Sequence, residues 1–300
     1  MDTKLLSDVL RLKNIAGITK GVQEFIKKEV ERSKRNGVAI AFSGGKDSTA
    51  ITCLCARSVG PEKVLAIYMP TEISKAVHRE HASWVAKLLG VRLEVIDITP
   101  TLKALGAWDL FPEMHGNVLV AKSQAEKELG GDSVIYRATS TGHDFVARGA
   151  AFAGSQHRLR AVYLSMFADL ENRLMVGAGN YSEFRLGSSI LFGCDELAEI
   201  MPIRPFYRTQ VKQLLKHFGV LPEIIDKPSD PDVMIGIDSI DQMFGPSEEN
   251  DLIIYGLEHG ITAKLLEKQF GIEAVKRVTD LVETASKYKR GLPHIPKVQF

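Results

Sequence analysis

Cysteine is scarce in this sequence: 300 residues carry three, Cys53, Cys55 and Cys194. Three thiols make no disulfide framework. Cys53 and Cys55 are two apart on an expected helix and point to different sides. With neither Cys-x-x-Cys nor metal-ligand spacing, they are expected as core thiols in a reducing cytoplasm. Charge of one sign is equally short, because the net charge is only +1. That leaves no global field to recruit nucleic acid or a membrane surface. No apolar run approaches the roughly 20 residues of a membrane span, and the first twenty residues do not form the apolar core of a secretion signal. There is no internal repeat, no low-complexity tract, no His-Glu-x-x-His and no Gly-x-Ser-x-Gly. His78 and His81, at i and i+3 on an expected helix, read as solvent-facing rather than as a metal site.

What is present is a regular alternation. Apolar runs at 38–42, 64–69, 93–98 and 173–177 have the length and content of buried parallel strands. Amphipathic stretches at 20–35, 48–58, 74–89, 155–170 and 208–218 read as helices. Strands alternating with helices imply an α/β fold, a doubly wound parallel sheet flanked by helices. One domain over residues 1–300 is expected. Residues 100–150 break the pattern, with a possible helix at 118–129 and a possible strand at 133–137, and read as a lid or substrate insertion. Residues 227–234 read as a Pro-rich loop and 251–300 as a helical C-terminal segment.

The most informative stretch is Ser43-Gly44-Gly45-Lys46-Asp47-Ser48, between the first strand and the first crossover helix. Two glycines allow a tight turn and close approach of a ligand to the backbone. The free N–H groups of a helix start then face an anion. Ser43 and Ser48 add hydroxyls and Lys46 a charge. Asp47 is out of place beside phosphate unless a cation lies between them, which argues for Mg²⁺. The spacing is not that of a Walker A loop.

This hexapeptide resembles the Ser-Gly-Gly-x-Asp-Ser loop of the N-type ATP pyrophosphatases. Three later segments, in the same order, resemble those of the ammonia-dependent NAD synthetases. Gln156 to Arg160 is similar to Gln-Ala-Arg-x-Arg. Gly177-Ala178-Gly179-Asn180-Tyr181-Ser182-Glu183, followed by Leu186-Gly187 and Phe192-Gly193, is similar to Gly-Thr-Gly-Asn-x-x-Glu, Leu-Gly and Tyr-Gly-Asp. Pro202-Ile203, Tyr207 to Val211 and Lys227-Pro228 are similar to Pro-Ile, Lys-Thr-Gln-Val and Lys-Pro-Pro-Ser-Ala-Asp-Leu, with Asp232 at the final Asp. Departures are Lys46 in the loop, Asp230 at the Ser position and the extra Cys194 before Asp195.

The resemblance implies ATP as co-substrate, Mg²⁺ on Asp47 and Glu183, and catalytic roles for Asp47, Lys46 and Arg208. It places Ser43, Gly44, Gly45, Lys46, Asp47, Ser48, Met69, Arg158, Gly177 and Arg208 at ATP, and Arg160, Asn180, Lys227 and Asp232 at the second substrate. It implies deamido-NAD as that substrate, free ammonia or a separate amidotransferase as nitrogen source, a homodimer, and neither membrane nor nucleic acid as partner. Other readings stay open at this point. Glu183 could cap a helix, Arg208 could be a surface residue, and Gly177 and Gly179 could simply end a strand. Another adenylating ligase, a sulfur transferase or a non-catalytic ATP-binding module would share the cradle.

Overall fold

A computed structural model describes residues 8–110, 144–232 and 239–288 of the chain. The element order among them is α1 (Ile15–Arg32), β1 (Gly37–Ala41), α2 (Lys46–Val59), β2 (Val64–Tyr68), α3 (Ala76–Leu89), β3 (Arg92–Val95) and α4 (Thr99–Ala104). Then come α5 (Asp144–Leu170), β4 (Arg173–Val176), α6 (Tyr181–Leu186), α7 (Arg208–His217), α8 (Pro222–Ile225), α9 (Asp241–Phe244), α10 (Ser247–Glu258), α11 (Ala263–Phe270) and α12 (Ile272–Tyr288).

The four strands form one parallel sheet in the order β3-β2-β1-β4. Successive side chains of a strand point to opposite faces, and here each face has its own core. Val38, Ile40, Val64, Ala66 and Tyr68 pack with Ile26 of α1, Ile51 and Leu54 of α2 and Val211 of α7. Ala39, Leu65 and Ile67 pack with Leu102 of α4 and Leu159 and Leu164 of α5. Burial on both faces explains why β1, β2 and β4 read as continuous apolar runs, whereas the expected buried strand at 93–98 is an edge strand, Arg92–Val95, with both ends exposed. A third cluster joins the C-terminal helices α10 to α12 to Leu186 of α6 and to Tyr207, at the start of α7.

The chain runs from β1 outward through β2 to β3, then returns through α5 to β4 on the other flank of β1. The strand order therefore reverses between β1 and β4. Ligands of such sheets bind at the carboxyl ends of the strands at this switch. The 43–48 turn leaves β1 there and the 177–180 turn leaves β4.

Several boundaries differ from the sequence expectation. α1 begins at Ile15 because the Asn14 side chain accepts from the Gly17 N–H and caps it. α5 begins at Asp144, inside the expected insertion, and is 27 residues long. Phe152 and Ala153 in its first half are buried, with Phe152 edge-on to Trp108. The helix and strand expected at 118–129 and 133–137 lie outside the described residues. Cys53 and Cys55 are both buried and all three cysteines are free.

Candidate active site

The cradle is built by its glycines. Gly44 has φ +70°, a left-handed conformation, and a Cβ there would sit 2.7 Å from the His78 carbonyl oxygen and 2.9 Å from the Ala82 nitrogen. Glycine is therefore required both for the turn and for the contact with α3. Gly45 is the N-cap of α2, so Lys46 and Asp47 stand in its first turn. The helix starts two residues earlier than its apolar pattern indicates. The Ser43 and Ser48 hydroxyls are 3.0 Å apart, and Ser43 Oγ accepts from the Gly45 N–H.

Asp47 and Glu183 meet through Asn180. Asn180 Nδ2 donates to Asp47 Oδ1 at 2.8 Å. The same residue N-caps α6: its Oδ1 accepts from the Glu183 N–H, and its own N–H donates to Glu183 Oε2. Glu183 thus completes a capping box and also carries a free edge to Arg208, whose Nη2 donates to Glu183 Oε1 at 3.2 Å. Burial, reinforced by the charge of Asp47, raises the Glu183 carboxyl to about 7. Asp195, whose Oδ1 accepts from the Ala178 N–H, is also raised, chiefly by burial.

Two cations face these carboxylates. Arg208 is 4% exposed. Burial disfavours its charge, but Glu183, Asp47 and Asp251 more than offset that and raise its pKa. Its N–H donates to Ser182 Oγ, which donates to Asp251, and Asp251 also accepts from the Thr209 N–H. Lys46 Nζ is buried and donates to the Lys227 carbonyl. Burial lowers its pKa to about 8, with Asp47 opposing the shift and Lys212, Arg208 and Lys227 adding to it.

These groups surround a cavity of about 250 Å³ at the carboxyl edge of β1 and β4. Ser43, Gly45, Lys46, Asp47, Ser48, Met69, Arg160, Glu183, Arg208, Lys227 and Asp232 all line it. Arg160 is partly buried and donates from Nε to the Met69 carbonyl. Four expected residues stand off the wall. Gly44 packs behind the turn against α3. Asn180 is fully buried and acts through Asp47 and Glu183. Gly177 packs against Ala198 and Met201, where a Cβ would meet Ala198 Cβ at 2.9 Å. Arg158 is exposed and donates from Nε to the Leu191 carbonyl, two residues along the helix from Arg160 and on a different side.

Other lining residues were not expected from the sequence. Asp195 lies one place beyond the position of the family Asp because Cys194 intervenes, which is the signal that could have found it. His157 and Cys194 also line the cavity. His78 corrects the solvent-facing reading: it is 4% exposed and stands against Lys227 and Asp230. Its burial depends on a loop some 150 residues away, which helical spacing does not reveal.

Fold and site together define a class: a parallel α/β protein with a pyrophosphate-loop cradle at the topological switch point. A family model described as NAD synthase matches residues 18–127 and 133–293. The chain belongs to that family. It is 33% identical over 295 residues to the NH(3)-dependent NAD(+) synthetase of Hyperthermus butylicus, covering 97% of this chain and 94% of that one. It is 31% identical to the Methanocaldococcus jannaschii protein of the same name, covering 94% and 96%. In fold it is similar to the NMN synthetase from Francisella tularensis, with TM-score 0.71 and 19% identity over 95% of this chain and 99% of that one. The NH3-dependent NAD synthetase from Campylobacter jejuni gives TM-score 0.68 and 21% identity over 95% and 100%.

Proposed function

We propose that this chain is an ATP-dependent amide ligase that adenylates the nicotinate carboxylate of deamido-NAD and amidates it with ammonia. The observation that carries the reading is the convergence of the 43–48 cradle with Asp47, Glu183 and Arg208 around one cavity. A free carboxylate is a poor acyl donor because its leaving group would be oxide. In the first step a carboxylate oxygen attacks the α-phosphorus, the bond to pyrophosphate breaks, and an acyl-adenylate forms. In the second, ammonia attacks the acyl carbon, the C–O bond breaks, AMP leaves, and the nitrogen loses a proton to solvent.

The first step crowds negative charge on phosphate, so oriented donors and cations matter more than a nucleophile. Ser43, Gly45, Ser48 and the first-turn amides of α2 hold the departing pyrophosphate. Lys46 and Arg208 offset its charge. Arg208 Nε is buried without a hydrogen-bond partner among the described residues, which leaves it for a phosphate oxygen. Arg160 and Asp232 are assigned to the acid, and Lys227, whose carbonyl accepts from Lys46 of the cradle, to the phosphates between the two.

The donor set fits Mg²⁺. Asp47 and Glu183 offer hard oxygens, and burial first, then the charge of Asp47, raises the Glu183 carboxyl, a cost that a bound cation would relieve. Among the described residues no three His, Cys, Asp or Glu side chains form a metal site of their own. The pair Asp47 and Glu183 suits an ion which takes one or two carboxylates and completes its shell with phosphate and water. When bound, it supplies charge neutralisation at the phosphates.

Two further assignments complete the reading. Val162, Met166 and Leu170 form an exposed apolar row on α5, at 60%, 45% and 74% exposure, and support a homodimer. Three free cysteines support a reducing, cytoplasmic setting.

The test is product analysis with ATP, Mg²⁺, ammonium and either deamido-NAD or the corresponding mononucleotide acid. Deamido-NAD is expected to yield NAD, AMP and pyrophosphate in equal amounts. Pyrophosphate release only with another acid would overturn the deamido-NAD assignment and keep the chemistry. Asp47→Asn is expected to lower kcat on the order of a hundredfold, and unchanged turnover would contradict its metal role.

A further inference from the structure

Next to the cradle, the first turn of α3 meets the 227–232 loop in a network of two histidines, two lysines and two aspartates. Lys227 Nζ lies 2.8 Å from His78 Nδ1 and 3.4 Å from His81 Nδ1. An ammonium has three donors and no acceptor. His78 Nδ1 must therefore accept, which puts the ring proton on Nε2. That nitrogen faces Asp230 Oδ2 at 3.4 Å and Asp232 Oδ1 at 3.6 Å, as this tautomer requires. Lys75 Nζ donates to the same Asp230 oxygen at 2.6 Å. Among the described residues no carboxylate pairs directly with Lys227.

We propose that His78 is a positioning residue that holds Lys227 toward the cavity as an unneutralised cation for an anionic phosphate group of the substrates. A carboxylate in place of the imidazole would hold the lysine equally well but cancel its charge. A ring that accepts at Nδ1 fixes the ammonium without pairing it to a carboxylate, while Asp230 and Asp232 behind the ring favour its charge against burial. Asp230 and Asp232 orient the ring from behind, and the third ammonium hydrogen is free to meet an anion. The Lys227 carbonyl also accepts from Lys46 Nζ, so the same loop anchors a cradle residue. The aspartate at 230, where the related motif has serine, is accounted for by this role: it accepts from His78 and Lys75.

The inference rests on the ATP reading of the cavity, and its test separates the two. Binding of ATP and of inorganic pyrophosphate, each with Mg²⁺, is measured by calorimetry on the full chain and on His78→Asn, His78→Gln, Lys227→Met and the His78→Gln/Lys227→Met double variant. Asn places its amide oxygen where Nδ1 stands, whereas the Gln amide reaches only the Nε2 position. Gln is expected to weaken binding about tenfold, the loss of one hydrogen bond to a charged group, and Asn by less than about threefold. The double variant is expected to bind as weakly as Lys227→Met alone, since His78 acts through that lysine. A merely structural role would move the melting temperature and leave Asn and Gln alike. Equal affinity in the parent and all variants, or additive losses in the double variant, would overturn the role of His78 alone. Failure of the parent chain to bind either ligand would overturn the ATP reading, and the role of His78 with it.

Discussion

Individual side chains in this site hold two jobs at once. Glu183 completes the cap of α6 and faces Arg208 and Asp47, so the capping and metal readings of its position are compatible. His157 shows what burial does to a titratable group. Burial first, then the charges of Arg160 and Arg158, push its pKa down to about 3. A histidine that charges in the unfolded chain near 6.5 but not in the folded one binds more protons when unfolded. Its contribution is therefore fully present above about pH 6.5 and is lost as the pH falls toward 3. Chemical denaturation of the parent is expected to lose up to about 1.4 kcal/mol per pH unit over that window from this group. His157→Asn is expected to flatten that part of the profile, and a profile of unchanged slope would contradict the assignment.

Helices position the site through their ends. α7 starts at Arg208, and the buried Asp251 of α10 accepts from the Thr209 N–H and the Ser182 hydroxyl. A carboxylate at a helix N-terminus is also favoured by the helix dipole. Asp251→Ala leaves two buried donors without their acceptor and is expected to cost about 2–4 kcal/mol in urea denaturation. Because Arg208 N–H bonds to Ser182 Oγ, KM for ATP should rise as well. A loss below about 0.5 kcal/mol, the range of ordinary surface changes, would show that α7 is held by other contacts.

The same elements show what sequence reading can and cannot reach. β1, β2 and β4 were legible because they are short apolar runs bounded by turn residues, and the cradle because its six residues carry their own chemistry. The early start of α5 was not. Gly149 and Gly154 weaken the helical pattern there, and the compensating burial of Phe152 against Trp108 is a tertiary contact. His78 and Asp195 were missed as well. The environment of His78 is made by a segment distant in sequence, of which local spacing carries no trace, whereas Asp195 is displaced by the single residue Cys194, a shift that the sequence does show.

Across the assembled chain, the parallel sheet fixes where chemistry can occur, and the C-terminal helices brace the arginine that serves it. The α5 row of Val162, Met166 and Leu170 recurs every four residues and so lies along one side of that helix. If the proposed homodimer forms on this face, the parent sediments as a dimer and Met166→Glu is expected to sediment as a monomer at the same concentration. A monomeric parent, or a dimer indifferent to the change, would contradict an interface on this face.

The central claim is that a carboxylate oxygen attacks the α-phosphorus of ATP. Deamido-NAD labelled with ¹⁸O in both carboxylate oxygens tests it most directly, with mass spectrometry of the AMP formed in the presence of ammonia. If the acid is adenylated and AMP then leaves by C–O cleavage, each AMP carries one labelled oxygen and the amide keeps the other. Unlabelled AMP, or ADP in its place, would contradict the account.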